Sequence, residues 1–372
     1  MSGTDLGWLY YSAAMATALL EPKPGGLYCA DGDFFVDPVR PVKRAVITHG
    51  HSDHARAGHG AVLATAETLA IMEVRCGANF AGSTQAAHYG ETVSFGATKV
   101  TLRPAGHILG SAQAVVERGG ERIVVSGDYK RRRDPTCARF EPVEADVFIT
   151  EATFGLPVFC HPPDTHEIAK LMHSVAVFPE RAHLVGAYSL GKAQRVIALL
   201  REAGYDAPIY LHGAIVELCA LYERFGVRLG RLVPVSEMKD KDFAGRIVIA
   251  PPSALGDRWT RRLGDHVNSF ASGWMRIRAR ARQQGVELPL IISDHADWEE
   301  LTMTVNELRP GELWVTHGQE DALVHYSKSI GVPARPLSLK GYDDTGEGVP
   351  ETPNQTGLFP VSGNGNGSTN GR

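Results

Sequence analysis

The chain has 372 residues, 43% of them hydrophobic and 22% charged, with 40 glycines, 22 prolines and 15 histidines. That length suits two domains, or one domain carrying a large insertion, and the apolar fraction is ample for a core, which excludes general disorder. Thirty-eight Lys and Arg against 42 Asp and Glu leave a formal charge of −4, which argues against a surface that is basic throughout but leaves room for a local basic groove.

The first apolar stretch, Leu6 to Leu20, is interrupted by Ser and Thr and has no preceding Lys or Arg. It is too short to span a bilayer and lacks the basic region of a secretory signal. Residues 1–25 read as an N-terminal extension, with Met15 an equally good start, and no membrane partner is expected. Residues 26–156 carry short apolar runs closed by polar residues. Ala45 to Thr48, Lys99 to Leu102, Arg122 to Ser126 and Asp146 to Thr150 all predict strands. Each is followed within five residues by a His, Asp or Glu.

Residues 157–289 change to strand-then-helix units. Ala182 to Gly186 precedes a predicted helix over Lys192–Glu202, Pro208 to Leu211 precedes another over Ala214–Arg224, and Arg246 to Ala250 is a further strand. Alternating β and α at this spacing predicts a parallel sheet covered by helices. Strand texture returns at Leu288 to Ser293 and Glu312 to Thr316, so residues 290–343 read as a return to the first domain. Residues 344–372 are rich in Gly, Asn, Ser, Thr and Pro and predict a disordered tail. Five scattered cysteines without a C-x-x-C pair indicate neither a disulfide framework nor a thiolate zinc site, and suit a reducing cytoplasm.

One segment stands apart: Thr48-His49-Gly50-His51-Ser52-Asp53-His54. His49 and His51 alternate and project to one side, while Asp53 and His54 diverge as the chain turns toward a probable helix. Such an arrangement can serve two adjacent metal ions. Imidazole and carboxylate donors without thiolate suit Zn²⁺, or Mn²⁺, in a hydrolytic site. His107 in Gly106-His107-Ile108 and Asp128 in Gly127-Asp128-Tyr129 also follow strands and complete a candidate ligand set.

The order His49-x-His51-x-Asp53-His54, His107, Asp128 resembles the metallo-β-lactamase superfamily, with Asp37 in Val36-Asp37-Pro38 matching its early aspartate. Thr150-Glu151-Ala152-Thr153-Phe154-Gly155, Ser293-Asp294-His295-Ala296-Asp297 and Val315-Thr316-His317-Gly318 resemble the signatures of its β-CASP nuclease branch. Ser189-Leu190-Gly191-Lys192-Ala193-Gln194-Arg195 resembles a helix start in that branch's inserted domain. The resemblance implies an α/β fold, an αββα sandwich with the β-CASP insertion at 157–289. It implies one metal on His49, His51 and His107, a second on Asp53, His54 and His317, and Asp128 bridging. Two cations about 3.5–4 Å apart would acidify a water and stabilise phosphoryl charge. His295 would meet the scissile phosphate or protonate the leaving oxygen, and Glu151 would orient it, giving Asp53, Asp128, Glu151 and His295 catalytic parts. Asp37 would support the metal loop. Glu151 and Asp37 also have a plainer possible role as strand-end hydrogen bonders.

Thioester, lactone and β-lactam hydrolases share the metal loop, but the insertion favours a polynucleotide. Lys130-Arg131-Arg132-Arg133 follow Asp128 directly, and Arg258, Arg261, Arg262, Arg276, Arg278, Arg280 and Arg282 add basic clusters in the insertion. Arg276 to Arg282 would align on one face if extended, suiting a backbone-tracking groove, although a solvated charged face is the plainer reading. Lys192 at a helix start predicts a phosphate contact. Trp274 and Trp298 suit base stacking or the core. Within the branch, His317 leans toward RNA, whereas Phe34-Phe35-Val36-Asp37-Pro38 and Asp294-His295-Ala296-Asp297-Trp298 resemble bacterial ligase-associated DNA exonucleases. The expectation is therefore a DNA exonuclease of repair or end processing, with an RNA nuclease as the alternative. An ATP-dependent DNA ligase or helicase is an implied companion.

Overall fold

The computed structural model describes residues 19–238 and 242–337. Strands β1 (Glu21–Lys23), β2 (Gly26–Cys29), β3 (Phe34–Val36), β4 (Arg44–Val46), β5 (Ala61–Ala64) and β6 (Thr84–Ala86) form one sheet in that order. Leu19 and Leu20 are buried in the core and β1 pairs with β2, so from Leu19 onward the expected extension 1–25 is part of this domain. Helix α1 (Ala66–Cys76) follows β5. The Thr65 side chain accepts from Thr68 N at its start, satisfying a backbone donor that the first turn leaves unpaired. Met72 of α1 packs with Ala45, Ile47, Val62 and Ala64 on the outer face of the sheet.

The second sheet begins with β7 (Thr92–Phe95), β8 (Thr98–Pro104), β9 (Ala112–Arg118), β10 (Glu121–Val125) and β11 (Val147–Ala152). Ile123 and Val125 join Leu27, Phe34 and Val36 in the core between the sheets, while Val124 faces the other way, as the two-residue period of a strand requires.

The insertion then runs α2 (Asp164–Val177), β12 (Ala182–Gly186), α3 (Lys192–Glu202), β13 (Ile209–Leu211), α4 (Gly213–Arg224), β14 (Leu232–Pro234), β15 (Ile247–Ala250), β16 (His266–Ala271), α5 (Arg278–Gln283) and β17 (Leu288–Leu290). Its sheet has the order β14-β13-β15-β12-β16-β17, parallel throughout. Ile247 and Ile249 pack with residues of α2, α3 and α4, and Val248 and Ala250 pack on the opposite face. A strand covered on both sides reads as a continuous apolar run, and Ile247 to Ala250 is one. The helical core also takes in Ile71 of α1 and Ile108 and Leu109, so insertion and first domain share continuous packing.

The chain returns through α6 (Trp298–Leu308), β18 (Glu312–Gly318), α7 (Glu320–Ser329) and β19 (Ala334–Pro336). β18 lies parallel to β11 and completes the order β19-β18-β11-β10-β9-β8-β7. Leu301, Val305, Leu323 and Val324 cover the outer face of that sheet. The layers are therefore helix, sheet, sheet, helix, as expected. The expected tail 344–372 lies outside the described residues. Among the described residues, no helix is long and apolar enough to cross a membrane.

Candidate metal centre

After β4 the chain passes through Thr48 to His54 and then forms β5, so a strand separates the His-rich segment from α1 where a helix was expected next. Asp37 fastens this segment from outside. Its Oδ1 accepts from Thr48 N at 2.8 Å, and its Oδ2 accepts from Thr48 Oγ1 at 2.6 Å and lies 2.8 Å from His54 Nδ1. With Nδ1 so engaged, His54 turns Nε2 inward, 3.5 Å from Asp128 Oδ1 and 3.6 Å from Asp53 Oδ2. His107 is fixed likewise: Nδ1 lies 2.9 Å from the carbonyl oxygen of Asp294, leaving Nε2 inward. An outer partner on one ring nitrogen orients the other toward a cation.

Two glycines let the neighbouring loops approach. Gly106 and Gly127 have φ of 77° and 56°. A Cβ would fall 2.2 Å from Lys130 O at the first and 2.7 Å from Thr48 Oγ1 at the second, so each ligand candidate follows a residue that only glycine suits. His317 enters by a different device. The β11–β18 register shifts between Glu151 and Ala152, which pair with Thr316 and Gly318, leaving His317 as the extra residue of a bulge, at φ 55°. Bulges re-aim side chains beside functional sites.

His49, His51, His107 and Asp128 bring one donor atom each within 4.8 Å of one another, as do Asp53, His54 and His317. Asp128 faces both groups: Oδ2 lies 3.3 Å from His49 Nε2 and 3.7 Å from His107 Nε2, while Oδ1 faces His54. Burial, with neighbouring imidazoles, holds His49 well below its usual value, His107 down at about 3 and His317 at about 4. These rings are neutral, the state a ligand needs. Burial opposes ionisation of Asp128, yet His54, His49 and His295 together hold its carboxyl well below the usual range. Asp53 Oδ1 is buried with no hydrogen-bond partner. Imidazole nitrogens, carboxylate oxygens and a buried, unspent acceptor fit divalent cations such as Zn²⁺ or Mn²⁺.

Beside this cluster, His295 Nδ1 lies 2.9 Å from Glu151 Oε2, and Glu151 Oε1 accepts from Tyr129 N at 2.7 Å. Burial lowers the affinity of His295 for a proton, but the Glu151 and Asp128 carboxylates override it and raise the ring well above its usual value.

The basic residues singled out in the sequence fare differently. Lys130 is 1% exposed: its ammonium donates to His295 O at 2.9 Å and pairs with Glu300 at 2.8 Å. Arg131 pairs with Glu307, Arg132 with Asp297 at 2.8 Å and Arg133 with Glu202 at 2.6 Å. The run expected to meet nucleic acid is thus a brace to α6 and α3. Lys192 is likewise buried and pairs with Asp294 at 2.6 Å, a carboxylate partner where a phosphate was expected. Arg276 and Arg278 remain exposed, but they lie in a 3-10 turn (Gly273–Arg276) and in α5, so the expected extended face of arginines does not form. Trp298 packs edge-on against Tyr326 at 5.7 Å and serves the core.

Asp294 and Glu300 were not singled out by the sequence. The signal for both was the cation each had to neutralise. Burial raises Glu300, but Lys130 and Arg132 bring its carboxyl down to about 2. The folded value lies below the unfolded one, so this stabilisation is present above pH 4.5 and is lost as pH falls through about 2. Glu300→Gln is expected to cost about 3 kcal/mol at pH 7. The gap from wild type in urea-unfolding free energy should shrink as unfolding is repeated from pH 4.5 down; a gap constant with pH would contradict the assignment.

Residues 288–335 match the family described as the Zn-dependent metallo-hydrolase RNA specificity domain. A probable DNA ligase of Opitutus terrae is 31% identical over 304 residues, 79% of this chain and 28% of that protein. Cleavage and polyadenylation specificity factor subunit 3 of Dictyostelium discoideum is 33% identical over 141 residues, 35% of this chain and 18% of that protein. Endoribonuclease ysh1 of Emericella nidulans is 35% identical over 148 residues, 35% of this chain and 16% of that protein. The chain thus spans less than a third of each of these relatives. A crystal structure of a protein of unknown function from Enterococcus faecalis V583 shares the fold, with a TM-score of 0.53, 13% identity and 79% of each chain covered.

Proposed function

The chain belongs to the metallo-β-lactamase superfamily, in its β-CASP nuclease branch, and from that premise we propose a two-metal phosphodiesterase that trims DNA ends. The observation that carries it is Asp128, whose two carboxylate oxygens face two separate donor groups. His49, His51 and His107 would hold one cation, Asp53, His54 and His317 the other, with Asp128 common to both. Cations bound there supply acidification of a water and neutralisation of phosphoryl charge.

The chain's own groups do the rest. Asp37 keeps His54 in the rotamer that faces the centre. Glu151 engages His295 Nδ1, so that Nε2 is left to hold a proton for the leaving oxygen. Glu151 is then a positioning residue, held in turn by Tyr129 N. DNA is favoured because the relative matching 79% of the chain bears the name of a probable DNA ligase. A ligase or helicase companion in end processing or repair belongs to the same reading. The five cysteines, none of them disulfide-bonded, suit the cytoplasm.

An RNA substrate is the second reading, favoured by the description of residues 288–335 as an RNA specificity domain and by the endoribonuclease names of other relatives. Matched single-stranded DNA and RNA oligonucleotides, labelled separately at the 5′ and 3′ ends, decide between them in the presence of Zn²⁺ or Mn²⁺. The expected result is laddering of DNA from one end, absent in Asp128→Ala. Selective cleavage of RNA would replace the DNA reading, and cleavage of neither would end the proposal.

A further inference from the structure

The segment Ser189 to Gln194 leads from β12 into α3 and brings the insertion against the candidate metal ligands. The carbonyl oxygen of Leu190 lies 3.3 Å from His51 Nε2. A carbonyl only accepts, so His51 donates from Nε2 and keeps a lone pair on Nδ1. His107 is fixed in the same sense: Nδ1 donates to the carbonyl oxygen of Asp294 at 2.9 Å, which leaves a lone pair on Nε2. The two inner nitrogens, His51 Nδ1 and His107 Nε2, stand 2.9 Å apart. Neither has a hydrogen to offer the other. Two acceptors so placed are an arrangement that a shared cation relieves.

The insertion secures both carbonyls. Gln194 is fully buried and clasps the loop before α3: its Oε1 accepts from Gly191 N at 2.8 Å, and its amide donates to Ser189 O at 2.9 Å. Gly191 N and the Leu190 carbonyl belong to one planar peptide, so holding the N–H aims the carbonyl at His51. Lys192, also fully buried, donates to Asp294 Oδ1 at 2.6 Å and fixes the residue whose carbonyl meets His107. Gly191 permits the approach. It has φ of 86°, and a Cβ there would fall 2.3 Å from Ile108 Cγ2. Ile108 follows His107 directly and is buried in the helical core of the insertion.

His49 and His54 lean the other way. His49 Nδ1 lies 3.1 Å from Thr48 Oγ1, and His54 Nδ1 lies 2.8 Å from Asp37 Oδ2, partners that belong to the first domain. The outer support of the centre is therefore divided between the two domains.

We propose that Gln194 and Lys192 are positioning residues for the cation at His49, His51 and His107, and that docking of the insertion and binding of that cation are linked. The proposal rests on the two-cation reading. Linkage is reciprocal: what the insertion does for the cation, the cation does for the insertion.

Zn²⁺ binding to the metal-stripped full chain is measured by competition with a chromophoric chelator, without nucleic acid. Two backgrounds separate the donor groups. His317→Ala keeps the His49, His51 and His107 group whole, and His107→Ala keeps the Asp53, His54 and His317 group. Gln194→Ala, or Lys192→Met with Asp294→Asn so that no charge is stranded, should weaken Zn²⁺ about 10- to 100-fold in the first background. In the second the change should stay below about twofold. A merely structural role would move both backgrounds alike.

Far-UV circular dichroism shows whether the variants fold. If they do not, hydrogen exchange in the unsubstituted chain decides. Zn²⁺ should slow the amides of residues 189–192 by about tenfold more than those of β13 in the same sheet. Unchanged affinity in the variants, equal losses in both backgrounds, or exchange at 189–192 indifferent to Zn²⁺ would overturn the proposal and leave the two-cation reading standing. An unsubstituted chain that binds fewer than two Zn²⁺ would end both.

Discussion

Asp128→Ala is expected to lower phosphodiester cleavage by more than about 100-fold, beyond what loss of an outer-sphere partner does to a metal enzyme. The reason is geometric. Each oxygen of this carboxylate faces a different donor group, so the substitution removes a donor from both and takes away the one carboxylate between His49, His107 and His54. Metal content by mass spectrometry after dialysis against Zn²⁺ should fall below two ions per chain. Glu151→Gln provides the contrast. It loses the charged partner of His295 Nδ1 but is not itself among the seven residues of the two donor groups, so metal content should hold while turnover drops. An Asp128→Ala protein that keeps both ions and full turnover would sink the shared-ligand assignment, and a Glu151→Gln protein that loses metal would sink the division of labour.

The candidate metal centre was legible as a cluster because its potential donors are local in sequence or sit at strand ends. Thr48 to His54 announce themselves as a cluster, and Gly106 and Gly127 mark the turns that let His107 and Asp128 approach. The helices with a clear period and a strand before them were legible too, and α3 falls at Lys192–Glu202 as predicted. β1, β6 and β14, three residues each, were not: β4 and β13 are as short but lie in apolar runs, whereas Pro22, Pro234 and the polar Thr84-Gln85 interrupt the pattern in the other three.

Charge was misread for a definite physical reason. A run such as Lys130-Arg131-Arg132-Arg133 has one meaning in solvent and another against acids, and its acids lie far along the chain: at the start of and within α6, some 165 to 176 residues later, for Lys130, Arg131 and Arg132, and on α3, 69 residues later, for Arg133. Lys192 met its counter-ion in Asp294, 102 residues away. Sequence reading counts charges but does not pair them. The arginines between Arg258 and Arg282 remained uncommitted because their own segment holds only Asp257 and Asp265.

Arg195→Ala is expected to cost about 3–5 kcal/mol in urea unfolding at pH 7, the range for a buried pair that loses one partner. Arg195 is fully buried, and its guanidinium donates to Asp134 at 2.8 Å and to Asp164 at 2.5 Å. Burial disfavours its charge, but the two carboxylates reverse that and keep it protonated. Removing it strands both. Asp134 is 4% exposed and spends its other oxygen on Thr136 N and Oγ1, so water cannot replace the guanidinium. Arg195→Met together with Asp134→Asn should recover part of the loss, because the cavity is filled and one stranded charge is gone. A loss under about 1 kcal/mol would mean that solvent reaches the pair after all. The pair also joins the loop after Asp128 to α3, whose first residue, Lys192, holds Asp294 next to His295. Its rupture should therefore lower cleavage in the folded protein at 25 °C, since the insertion then no longer holds His295 at a fixed distance from the candidate metal ligands.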